Sequence, residues 1–160
     1  MQYLNSGFVP AGATKILVLV NETKFTEPQG IWLSPYCEGV NQYKSFVELV
    51  MSIDDFYTQH NFLQQAMQPR RFGKEKQGNN TQRLETIRYM TDNLFTDVTA
   101  EKSTFIIQVL FRQNATWQGK VKWIEGGEEK NFRSTLELMK LMDEAITSSA
   151  QQKQEDEKAN

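Results

Sequence analysis

Residues 103–149, STFIIQVLFRQNATWQGKVKWIEGGEEKNFRSTLELMKLMDEAITSS, decide the fold. The run 104–112 is β-branched and aromatic, so it reads as a strand. Gln113-Asn114-Ala115-Thr116 reads as a hairpin loop. In 117–125, Trp117, Gly119, Val121 and Trp123 alternate with Lys120 and Lys122, the period of a half-buried strand. Gly126-Gly127 predicts a two-residue hairpin turn, and 128–132 a short third strand. Ser134-x-x-Glu137 is a capping box, in which the serine oxygen accepts from the third helical N–H and the glutamate reaches back to the cap. Leu136, Leu138, Met139, Met142 and Ile146 then form an apolar stripe. The unit is three antiparallel strands followed by one helix.

Displaced by 89 positions, residues 14–57 lie on 103–146 without a gap. Identical residues fall at Val20/Val109, Gln29/Gln118, Gly30/Gly119, Ser45/Ser134, Glu48/Glu137, Leu49/Leu138 and Asp54/Asp143. These are turn, cap and core positions, so the spacing predicts a second unit. Its strands are expected at 15–22, 30–36 and 40–44, with a loop at 23–29 and a helix from Ser45 to about Thr58. Val47, Leu49, Val50 and Ile53 supply its stripe. Strand 104–112 places Phe105, Ile107, Val109 and Phe111 on one face and Ile106 and Leu110 on the other. A strand apolar on both faces needs cover on both. The helix 81–95, with Leu84, Ile87, Met90 and Leu94 three or four apart, is one candidate; the other unit or a second chain are the others.

The expected fold is therefore α+β: two tandem βββα units packed as a pseudo-twofold intrachain pair, with an additional amphipathic linker helix. The first unit spans 1–68. A basic polar linker plus the helix spans 69–102, the second unit 103–149, and a disordered Gln/Lys/Glu tail 150–160.

Bulk properties narrow the function. The chain of 160 residues, 39% hydrophobic, suffices for one modest core. A formal charge of −2 gives no global field toward nucleic acid or anionic lipid. No segment approaches the roughly 20 apolar residues of a membrane span, and the N-terminus lacks the basic and apolar regions of a secretory signal. A single cysteine, Cys37, fits a reducing compartment. The expected location is cytoplasmic. Asn-x-Thr at Asn21, Asn79 and Asn114 is then accidental.

Catalytic chemistry finds little support. One His and one Cys cannot make a zinc site. His60 reads as a surface or C-terminal capping side chain at a helix end. A Cys37–His60 nucleophilic pair is formally available, but no third residue orients it. Asp54-Asp55 and Asp143-Glu144 are neighbours on helices, about 100° apart, and do not converge. The expectation is a protein that is not an enzyme, with no metal and no cofactor.

Candidate contact residues are Arg70 and Arg71, in a segment 70–88 holding six of the 18 basic residues, and Arg112, Trp117, Lys120 and Lys122 around the second hairpin. Residues 103–149 carry six basic and six acidic groups, a balance that points to a protein partner or self-association before nucleic acid. The expected function is a non-enzymatic interaction module that binds protein. The alternative is nucleic-acid binding through the second sheet or the basic linker.

The stretch ATWQGKVKWIEGGEEKNFRSTLELMKLMDEAI resembles the three-strands-plus-helix DNA-binding domains of plant AP2 factors and of phage-type integrase arm-binding domains. That likeness implies a sheet laid in the major groove, with Arg112, Lys120 and Lys122 as contacts. FRQNATWQG and FRSTLELMKLMDEAI also resemble small bacterial proteins of the clostridial type, which carry a W-Q-G hairpin and an F-R-S-x-x-E-L helix. That resemblance implies two such proteins joined in one chain and a bacterial, cytosolic setting. It implies no activity, ligand or partner.

Overall fold

The computed structural model describes residues 12–63, 65, 67, 70–73, 88–91 and 93–160. Six antiparallel strands form one sheet: β1 (Lys15–Lys24), β2 (Glu27–Leu33), β3 (Asn41–Tyr43), β4 (Ser103–Phe111), β5 (Gln118–Trp123) and β6 (Glu128–Phe132), in the order β3-β2-β1-β4-β5-β6. Helix α1 (Phe46–His60) follows β3, a single turn α2 (Leu94–Asp97) precedes β4, and α3 (Thr135–Ala159) follows β6. The fold is α+β as expected. The strands of the two expected units do not make separate sheets, because β1 and β4 pair edge to edge at the centre.

Both helices start at their capping boxes. Ser45 Oγ accepts from Glu48 N and Ser134 Oγ from Glu137 N, each at 3.1 Å. Helix α1 ends at Asn61, a left-handed residue with φ of 51°. Phe62 N then donates to Tyr57 O, closing a Schellman turn whose Phe62 packs on Phe56. α1 and α3 cover the same face of the sheet. Ile16, Val18, Trp32, Phe105, Ile107 and Val121 meet Leu49, Ile53, Phe56, Leu138 and Met142 in one core.

The opposite face has a smaller core of Leu17, Leu19, Leu33 and Leu94, with Met90, Phe95, Val98 and Ala100 packed against it. An irregular segment therefore supplies the cover expected from helix 81–95. Residues 81–87 and 92 of that expected helix lie outside the described residues. Residues 88–91 are not helical, because Tyr89 N and Met90 N both donate to Pro35 O, which ties the backbone to the β2 end.

Other expectations need correction. The 23–29 loop is instead a tight hairpin: Phe25 and Thr26 both have positive φ, and β2 begins at Glu27. Gly126-Gly127 is only half of a turn over 124–127 closed by Gly127 N to Ile124 O. Phe111 does not share a face with Val109. A bulge between Val109 and Phe111 turns it to the opposite face, where it pairs with Gln118 and is 57% exposed. Val47 and Leu136, expected in the helix stripes, are both exposed. The tail is not disordered: α3 runs to Ala159, since Gln, Lys, Glu and Ala are good helix formers with no Gly or Pro to stop them.

Candidate functional site

The expected contact residues divide into two groups. Arg112 and Trp117 are buried, at 4% and 3% exposure. Beyond the β4 bulge, Arg112 points toward the C-terminal half of α1. Its Nε and one terminal nitrogen donate to Leu63 O, and the other donates to Thr58 Oγ1 and Asp54 Oδ1. Trp117 Nε1 donates to the same Asp54 oxygen at 2.9 Å, and its ring lies edge-on to Tyr57 at 5.9 Å. Tyr57 OH in turn donates to Thr14 O. Asp54, Arg112 and Trp117 thus lock α1 of the first half onto the second hairpin. The AP2-like role expected for Arg112 has no free donor to carry it, and Trp117 offers no exposed ring.

Lys120 and Lys122 are exposed, on the sheet face away from α1 and α3. Lys120 sits between Gln108 and Asn131, and Lys122 between Ile106 and Glu129. Arg70 and Arg71 are exposed in irregular chain. Arg71 lines a cavity of about 330 Å³ beside Asp54, Asp55 and Arg112. The lysines and the arginine pair do not form one surface with Arg112, because Arg112 is enclosed.

The largest of the described cavities, about 640 Å³, lies between α1 and the end of β2 and β3. Rings of Trp32, Tyr36, Phe56 and Tyr89 line it, with the carboxylates of Glu38 and Asp55. Alternation on β2 turns Trp32 toward α1, and its indole N–H donates to Ser52 Oγ at 2.9 Å. Phe56 stacks obliquely on Trp32 at 5.6 Å and on His60 at 4.5 Å. Composition did not point to this site. Its aromatics come from three separate segments that only the packing of β2, α1 and the Tyr89 segment brings together.

His60 is not at the surface, as expected, but buried. Its Nδ1 faces Phe56 O at 3.0 Å, so that nitrogen carries the proton and Nε2 is the free acceptor. Burial lowers its pKa below the ordinary value, and the bond to Phe56 O opposes the shift in part. Cys37 lines the same cavity, where its sulfur meets Asn41 Nδ2 at 3.4 Å. Cys37 and His60 thus each have another partner. Among the described residues no cluster of three His, Cys, Asp or Glu side chains could hold a metal. No described helix is long and apolar enough to cross a membrane.

Comparison of the chain with protein-family models, with curated proteins and with solved structures finds no match.

Proposed function

We propose that this chain is a non-enzymatic interaction module, made of two related βββα units, that binds a protein segment on the open sheet face of β4, β5 and β6. The observation that carries the reading is a difference between the two halves of that face. On β1 and β2 the chain covers itself, with Met90, Leu94, Phe95 and Val98 laid on Leu17, Leu19, Ile31 and Leu33. On β4 and β5, the positions 89 residues after Leu19, Ile31 and Leu33 are Gln108, Lys120 and Lys122. Beside them Leu110 and Phe111 are 37% and 57% exposed. An apolar ring beside two ammonium groups suits a peptide segment that carries carboxylates and an apolar anchor. Two lysines flanked by Glu129 are little charge for a phosphate backbone, which favours protein over nucleic acid.

Relatedness of the units is supported by irregular features that share the 89-residue spacing. Hairpin turns with positive φ fall at Phe25-Thr26 and Asn114-Ala115. Bulges fall between Val20 and Glu22 and between Val109 and Phe111. Gly30 faces Tyr43 and Gly119 faces Phe132. Leu17 pairs with Ile106, its own counterpart, so a twofold axis relating the units would pass through that pair.

The test is fluorescence anisotropy with a panel of acidic peptides carrying an aromatic residue, with duplex and single-stranded DNA in parallel. Peptide binding that weakens with salt and is lost in the Lys120→Glu, Lys122→Glu double variant supports the reading. Equal binding by the double variant, or retention of DNA alone, refutes it.

A further inference from the structure

We propose that the cavity between α1 and the β2–β3 end is a binding site for an organic cation, with an ammonium group held against aromatic rings and between two carboxylates. The proposal is independent of the sheet-face reading, since it concerns the helix-covered face. Three observations lead to it.

The first is the lining. Trp32, Phe56 and Tyr36 supply π surface, and Tyr89 adds a ring at the rim. Aromatic faces attract ammonium groups through their quadrupoles, and more strongly where water is excluded. A volume of about 640 Å³ falls in the range of small-molecule sites.

The second is charge. Glu38 and Asp55 both line the cavity, and no Lys or Arg does among the described lining residues. His60 does not compensate: its depressed pKa leaves the imidazole neutral at neutral pH. The cavity therefore carries negative charge against π surface, the complement of a cation and the wrong sign for a phosphate or carboxylate.

The third is the matching place in the other half. There a cavity of about 240 Å³ lies between α3 and β5–β6. Glu144 stands where Asp55 stands, 89 residues on, and Ala145 and Val121 replace Phe56 and Trp32. On the third strand, Asn41 opposite Trp32 becomes Lys130 opposite Val121. Lys130 Nζ lies 3.7 Å from Glu128 Oε2. The second cavity thus takes an ammonium from the chain itself. The first has the carboxylates and larger rings, with an amide in place of the lysine.

The experiment is a titration of the full-length chain followed by ¹H–¹⁵N NMR. The probes are choline and n-butylammonium, each against its uncharged isostere, dimethylbutanol or butanol, at constant ionic strength. The reporter is the Trp32 indole N–H, whose bond to Ser52 places it at the cavity. At least one cation is expected to shift it saturably, leaving the Trp117 and Trp123 indoles in place. Asp55→Asn and Glu38→Gln should each weaken binding, by about tenfold at the more important carboxylate. Asp55 is exposed, so its amide variant keeps the fold. The Lys120→Glu, Lys122→Glu variant should titrate as the parent does. The proposal is overturned if neither cation gives a saturable shift. It is also overturned if the uncharged isosteres bind as tightly, or if both carboxamide variants bind as the parent does.

Discussion

Replacing Arg112 by lysine keeps the charge and removes the fork, which isolates what geometry contributes at the α1–hairpin lock. Two of the arginine nitrogens converge on Leu63 O, and a third reaches Thr58 Oγ1 at 2.9 Å and Asp54 Oδ1 at 3.2 Å. A lysine is one tetrahedral donor and cannot span these acceptors. Hydrogen bonds from a charged donor contribute about 1.5–3 kcal/mol each. Lysine should recover roughly one of them, so Arg112→Lys is expected to cost about 2–3 kcal/mol. The ion pair itself adds little, because Asp54 is 34% exposed and water screens it. Arg112→Ala, which abandons a buried lock entirely, should cost about 3–5 kcal/mol. The assay is urea unfolding followed by far-UV circular dichroism, read as a shift of midpoint at constant slope. If Arg112→Lys unfolds within about 0.5 kcal/mol of the parent, the site is held by charge alone and the argument fails. The same reasoning warns against reading a binding defect of an Arg112 variant as loss of a contact, since the fold would be weakened first.

Gly30→Ala and Gly119→Ala should each destabilise by about 1–3 kcal/mol or more, because an added Cβ meets the Leu19 or Gln108 carbonyl oxygen of the neighbouring strand; a neutral result at either in thermal unfolding would contradict the strand register. Ser45→Ala and Ser134→Ala should each lose about 1 kcal/mol by urea titration, and no loss at either would discount the capping bonds. His60 is harder to protonate in the folded chain than in the unfolded one. The unfolded state therefore takes up the proton first as pH falls. Stability should be full above about 6.5 and decline on acidification through the lower folded pKa, and His60→Gln should flatten that slope. An unchanged slope in His60→Gln would assign the acid sensitivity elsewhere.

Local signals carried most of the secondary structure. The two capping boxes marked helix starts that the hydrogen bonds reproduce, and alternation at Val121 and Lys122 correctly separated a buried from an open face. What local signals missed has a common physical cause. The Phe25-Thr26 turn lacks the Asn-Gly chemistry that normally advertises positive φ, so a hairpin read as a loop. The bulge after Val109 has no sequence mark, yet it reverses Phe111 and carries Arg112 into the interior. That one extra residue accounts for the reassignment of Arg112 from surface contact to internal lock. Trp117 belongs to the same correction, because its partner Asp54 lies 63 positions away and was read as plain helix surface. The aromatic cavity was invisible for a similar reason, as Trp32, Phe56 and Tyr89 are neighbours only after the chain has folded.

The central pairing of β1 with β4 has a consequence for synthesis on the ribosome. β1 leaves the tunnel early, together with β2 as its hairpin partner. Its other edge must wait for β4, which follows only after Phe25 to Lys102 have been made. At about 5–20 residues per second that interval is roughly 4–16 s. Through it a strand carrying Ile16, Leu17, Val18, Leu19 and Val20 presents unpaired backbone, a template for pairing with another nascent chain. Chains emerging side by side on one message could exchange β4 strands across that edge. Translation speed between Phe25 and Lys102 therefore becomes a determinant of how much correctly closed protein each message yields.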